Sequence, residues 1–100
     1  MTAEFTRFVV LLTPIAGRQA DPALIRRHVA FLRLLDREGR LVMAGPFADG
    51  EGGMIVLRAA DLTEARRIAA DDPFVQEGVR AFTLRVWELS CEANNHMGMG

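Results

Sequence analysis

The chain has no lysine and no tyrosine among its 100 residues, which removes a Schiff-base amine and a phenolic acid from the catalysts available to it. Covalent imine chemistry is thereby excluded. Serine and cysteine occur once each, side by side at Ser90 and Cys91, without the glycine pattern that exposes a nucleophile at a strand-to-helix elbow. A single cysteine also makes no internal disulfide. No charged segment followed by an apolar one opens the sequence, so a cytoplasmic location is the expectation. The apolar runs Phe8 to Leu12 and Leu41 to Ala44 are strand-sized, far below the roughly 20 residues of a membrane span. Charge excess is absent too: 12 arginines face 13 acids for a net charge of −1, with no basic stripe to follow a phosphate backbone. Neither nucleic acid nor membrane is an expected partner. By residue type, His28, His96 and the carboxylates remain as proton carriers.

What the chain does have is apolar content, 50% of its residues, enough at this length for one core without metal or disulfide support. Residues 1–90 read as a single domain. Glu4 to Thr13 is rich in β-branched and aromatic residues and stops at Pro14, which predicts a first, central strand. Asp21-Pro22 is a helix start, an N-cap acid followed by proline at the first helical position, and the helix should run to about Glu38 before Gly39. Arg40 to Ala44 predicts a second strand interrupted by Gly45-Pro46, and Met54 to Ala59 a third, joined by a polar tip as an antiparallel hairpin. Asp61 and Glu64 open a second helix that ends before Pro73. After a turn around Val75 to Gly78, Arg80 to Leu89 is the last strand, with Phe82, Leu84 and Val86 on one face and Thr83, Arg85 and Trp87 on the other. The order β-α-β-β-α-β is the ferredoxin-like α+β arrangement, an antiparallel sheet with two helices on one face. Residues 91–100 lack periodicity and are expected to be a mobile tail, so His96, Met97 and Met99 are not read as a soft-metal site.

On a helical wheel His28 lies in the apolar stripe with Leu24, Ile25, Phe31, Leu32 and Leu35, while Arg26, Arg33 and Arg37 occupy the opposite, solvated face. A histidine there is either a satisfied core residue or a proton carrier, and the second role needs a group that sets its tautomer. The candidate acids are Asp36, Asp49, Asp71 and Asp72. Asp36 sits about 12 Å along the same helix and does not pair directly. Asp72 precedes Pro73, which forces it out of helical geometry at the end of the second helix, where it either caps local backbone or approaches the first helix. Gly45-Pro46-Phe47 makes room and frees backbone groups beside the helices. Arg7 or Arg85 would bind an acidic substrate if it faced inward.

Three segments carry a resemblance: His28-Val29-Ala30-Phe31-Leu32, Glu38 to Phe47 with its Ala44-Gly45-Pro46 turn, and Asp71-Asp72-Pro73-Phe74-Val75 with Gly78 following. In order and spacing they resemble the YciI-like (YCII-related) family over about residues 5–89. The resemblance implies a dimeric α/β barrel in which two ferredoxin-like sheets face each other. It also implies a His–Asp pair in a pocket between sheet and helices, here His28 and Asp72. Gly45, Pro46, Phe47, Asp49 and Phe74 are the expected substrate-binding residues, with no metal or cofactor. One branch of similar proteins dehalogenates a chlorinated hydroxyquinol, and the wider superfamily includes muconolactone isomerases and small monooxygenases. The expectation is an enzyme that moves a proton on a small cyclic or carbonyl compound, as in dehydrohalogenation, isomerisation or lyase chemistry. The alternatives are a non-catalytic ligand-binding or interaction domain, and a haem-binding or monooxygenase-type relative. The expected partners are a small-molecule ligand and a second copy of the chain, whose bare sheet face, with Trp87, would meet this one.

Overall fold

The computed structural model describes residues 3–100. After a 3-10 turn (Ala3–Phe5) come β1 (Thr6–Pro14), α1 (Pro22–Arg37), β2 (Leu41–Pro46), β3 (Gly53–Leu57), α2 (Leu62–Ala70), the short α3 (Pro73–Gln76) and β4 (Arg80–Glu88). The strands form one sheet in the order β2-β3-β1-β4, and every neighbouring pair is antiparallel. This is the ferredoxin-like α+β fold read from the sequence. Two local differences stand out. β2 continues through Gly45 and Pro46, because both remain in register with Met54 and Gly53 of β3 and β2 is an edge strand, where proline is tolerated. The expected turn before β4 begins as α3, since Pro73 fixes a helical φ directly behind a capping aspartate.

The cover on the sheet follows from strand parity. Phe8, Val10 and Leu12 alternate as the buried residues of β1, and their partners across the ladders, Leu57, Ile55, Leu84 and Phe82, lie on the same face. Against that face pack Leu35 of α1 and Ala65, Ile68 and Ala69 of α2. Burying each such side chain stabilises the fold by about 1.5–3 kcal/mol for the larger ones. Arg7, Val9, Leu11, Arg85 and Trp87 alternate onto the other face, which carries no helix.

The helix ends are fixed locally. The Asp21 carboxylate accepts the Leu24 amide at 2.8 Å, and Asp61 caps α2 through Glu64 in the same way. Glu64 closes the second cap from the other side, accepting the Ala60 amide and a hydrogen bond from the Arg40 guanidinium. These bonds hold its carboxyl below the usual glutamate range, the Ala60 amide contributing most. Beyond β4 the chain makes a 3-10 turn (Glu92–Asn94) and a turn with left-handed φ at Asn95, His96 and Met97, and the Asn94 amide group donates to the Leu89 carbonyl. No helix among the described residues is long and apolar enough to cross a membrane.

Candidate functional site

α1 does not close on the sheet along its whole length. Its second half presents Leu35, with Phe31 and Leu32 beside it, to the core. Its first half faces the end of the β2–β3 hairpin, where the helix-side positions are Ala44, Pro46 and Gly53. Residues this small do not fill the layer. The result is a cavity of about 760 Å³ between α1, the hairpin end and the α3–β4 corner, within the size range of small-molecule sites. Ile25, His28, Val29 and Leu32 form its helical wall.

Asp72 reaches this cavity wall because of its place between α2 and α3. It is the N-cap of α3 with an extended ψ of 127°, the conformation that a following proline imposes. Its Oδ1 accepts the Phe74 amide at 2.9 Å and lies 2.8 Å from His28 Nδ1. The two roles read from the sequence as alternatives, local cap and partner to α1, are thus performed by one oxygen. The side chain of Asp72 is 1% exposed and that of His28 14%. The other carboxylate oxygen, Oδ2, is buried with no hydrogen-bond partner among the described residues. Phe74 then stacks on His28, ring centroids 3.9 Å apart and planes 5° from parallel.

The contact suits one tautomer of the imidazole. An ionised carboxylate only accepts, so opposite it Nδ1 would carry the proton and, in the neutral ring, Nε2 would keep its lone pair. Nε2 has no hydrogen-bond partner among the described residues and belongs to a ring that lines the cavity. A histidine arranged in this way can take a proton from a bound molecule and return it, with Asp72 opposite the charge that forms. Among the described residues no three His, Cys, Asp or Glu side chains are grouped to hold a metal ion.

Of the other residues singled out in the sequence, Gly45, Pro46 and Phe74 line the cavity. Phe47 and Asp49 are not among its lining residues: they belong to the hairpin tip, where Asp49 Oδ1 accepts the Glu51 amide and the Phe47 carbonyl accepts the Gly50 amide. The tip contributes the Gly50 to Gly53 stretch to the wall instead. Asp36 and Asp71 are exposed. Arg7 and Arg85 stand on the helix-free face, away from the cavity, because their parity along β1 and β4 is opposite to that of Phe8 and Leu84. The basic residues that do line the cavity are Arg18 and Arg80. Sequence reasoning passed over both. Arg18 lies in a loop without periodicity, and Arg80 is the first residue of a strand, where the inward face is set only by register.

Comparison with known proteins agrees with this architecture. The family model described as YCII-related domain matches residues 6–89. The protein YjpA of Bacillus subtilis (strain 168), itself uncharacterized, is 44% identical over 82 residues, spanning 82% of this chain and 96% of YjpA. Among solved structures, the fold is similar to that of 5-chloro-2-hydroxyhydroquinone dehydrochlorinase (TftG) from Burkholderia phenoliruptrix AC1100, in complex with 2,5-dihydroxybenzoquinone. The TM-score is 0.62 at 20% identity, covering 82% of this chain and 93% of TftG. With the match spanning nearly the whole folded region and the identity to YjpA, the chain belongs to the YCII-related family.

Proposed function

We propose that the protein is a small-molecule enzyme in which His28 acts as general base and acid, oriented by Asp72, on a small cyclic or carbonyl-bearing compound. The observation that carries this reading is the 2.8 Å contact between His28 Nδ1 and Asp72 Oδ1 at the wall of an otherwise largely apolar cavity. In the proposed step Nε2 removes a proton from a carbon or hydroxyl group activated by a carbonyl. The electron pair left behind either expels a leaving group such as halide or re-forms a bond elsewhere in the ring, and the imidazolium then returns its proton to product or water. Elimination and isomerisation of this kind need no nucleophile from the protein. The structurally similar dehydrochlorinase, whose name and ligand describe a substituted quinol and a quinone, supports that substrate class. Phe74, Gly45 and Pro46 would shape the space around the ring.

The test is turnover on a panel of halogenated hydroxyquinols and unsaturated lactones. His28→Ala should lower kcat by about 100-fold or more, and Asp72→Asn should lower it with a smaller effect on KM. Activity that survives both substitutions would exclude this dyad. Binding without turnover across the panel would favour a ligand-binding role.

The same reading includes a homodimer. On the helix-free face, Val9 and Leu11 are half-buried beside the fully buried Val56, and Met43 and Trp87 flank them at 59% and 47% exposed. An apolar face of that extent supports pairing with a second copy, sheet to sheet.

A further inference from the structure

The cavity has a basic end that the dyad does not use. Arg18, from the β1–α1 loop, and Arg80, at the start of β4, both line it. Each is tethered by a hydrogen bond to the α3–β4 corner: Arg18 Nη2 donates to the Glu77 carbonyl at 3.1 Å and Arg80 Nη1 to the Val79 carbonyl at 3.0 Å. Neither has a carboxylate partner among the described residues, although Arg27, Arg40 and Arg67 do. Each therefore keeps most of its N–H donors for something else. Arg80 is also held at 5.4 Å over the centroid of Phe74, the ring that stacks on His28. Among the described residues the one acid lining the cavity is Glu51, in the hairpin tip, so the arginines outnumber it.

We infer that Arg18 and Arg80 form an oxyanion subsite and that the cavity selects a small planar organic anion, its delocalised negative charge at the arginine end and its reacting atom beside His28. This inference rests on the proposed acid–base role for the reacting end and adds the charge of the substrate. Guanidinium groups suit such an anion because they are planar, permanently charged and capable of paired hydrogen bonds to two oxygens. Their preset orientation, by backbone carbonyls and by the Phe74 ring, reduces the ordering cost of binding. Phe74 is shared by the two ends: one contact fixes the imidazole and the other the guanidinium. A vinylogous acid such as 2,5-dihydroxybenzoquinone has the required character, because it ionises to a flat, resonance-stabilised anion.

The test is direct binding, by calorimetry at neutral pH, of 2,5-dihydroxybenzoquinone and benzoate as anions and of hydroquinone and benzamide as neutral counterparts. The anions should bind more tightly than their neutral partners and lose affinity as salt rises. Arg18→Gln and Arg80→Gln should each weaken anion binding by about tenfold or more while leaving the neutral probes within about twofold. Arg80→Lys keeps the charge but not the planar fork and should fall between. Glu51→Gln should strengthen anion binding. The inference is overturned if neither anion binds at millimolar concentration, if anions and neutral probes bind alike, or if the arginine substitutions weaken both classes equally. Because Arg18 is exposed and the cation–π contact with Phe74 belongs to Arg80, the Arg18 variant separates loss of the subsite from loss of packing. His28→Gln should leave anion affinity within about threefold of the wild type while turnover is lost. A charge-selective cavity with no dyad-dependent turnover would sink only the acid–base role, and dyad-dependent turnover without charge selectivity would sink only this subsite.

Discussion

The imidazole of His28 lies flat on the ring of Phe74, 3.9 Å between centroids and 5° from parallel. The contact is a consequence of the Asp72 cap. The Phe74 amide bonds to the same Oδ1 that pairs with His28, so two residues on two helices are set by one carboxylate. Phe74→Leu keeps apolar volume but removes the stack. It should cost about 0.5–1.5 kcal/mol in denaturant unfolding, and the ring protons of His28 should move downfield as the aromatic shielding is lost. Unchanged proton shifts would show that the two rings do not stack in solution.

Asp72→Ala removes a helix cap and the partner of a buried imidazole in one step, and should destabilise the protein by about 1–3 kcal/mol. Asp72→Asn retains an acceptor oxygen at nearly the same place and should cost clearly less. The tautomer is a separate readout. Long-range ¹H–¹⁵N spectra of neutral His28 should report a protonated Nδ1 and a bare Nε2, and the opposite assignment would contradict the donor direction argued for the pair.

Of two glycines at the hairpin end, only one is required by the backbone around it. Gly52 has φ +86°, and a Cβ there would stand 2.0 Å from the Leu12 carbonyl oxygen, so Gly52→Ala must move backbone. It should destabilise by about 1–3 kcal/mol and disturb the cavity wall. At Gly45 a Cβ meets nothing within 4 Å. Gly45→Ala should therefore leave thermal stability within about 0.5 kcal/mol, and because Gly45 pairs with Met54, and Met54 with Leu11, on the helix-free face, its Cβ points away from the cavity and should leave ligand affinity unchanged. Equal losses at the two positions would refute this distinction.

Glu64 makes a pH-dependent contribution. Its pKa is lowered from 4.5, first by the Ala60 amide and then by Arg40, so the carboxylate form is favoured by folding. The stabilisation is present in full above the unfolded-state value and is lost as pH falls through the lower folded-state value. Wild type should thus exceed Glu64→Gln in stability at neutral pH, and the difference should shrink below about pH 4.5. A difference that stays constant across that range would show that the charge of Glu64 contributes nothing.

For the proposed dimer, Met43→Glu or Trp87→Glu places a charge on the helix-free face while leaving the cavity, on the opposite face, untouched. Sedimentation at micromolar concentration should show a dimer for the wild type and a monomer for either variant. A monomeric wild type would rule out the sheet-to-sheet pairing at that concentration.

The sequence by itself determined the elements whose signals are local. The β-branched and aromatic run ending at Pro14, the Asp21-Pro22 cap and the Asp61 to Glu64 start located β1, α1 and α2 within a residue or two, because each signal is complete within one turn or one strand. Periodicity also placed His28 on the covered stripe of α1, but it left four aspartates open as partners. The family resemblance singled out Asp72, and only the tertiary structure brought the two side chains together across 44 residues of sequence, since the meeting of two helices depends on how both pack on the sheet. The same holds for charge. Parity said that Arg7 and Arg85 share a face with Val9 and Trp87, yet not which face the helices cover. The packed sheet turned those two arginines away from the cavity and placed Arg18 and Arg80 beside it. The site is thus assembled from short-range signals whose convergence is a property of register and layer packing.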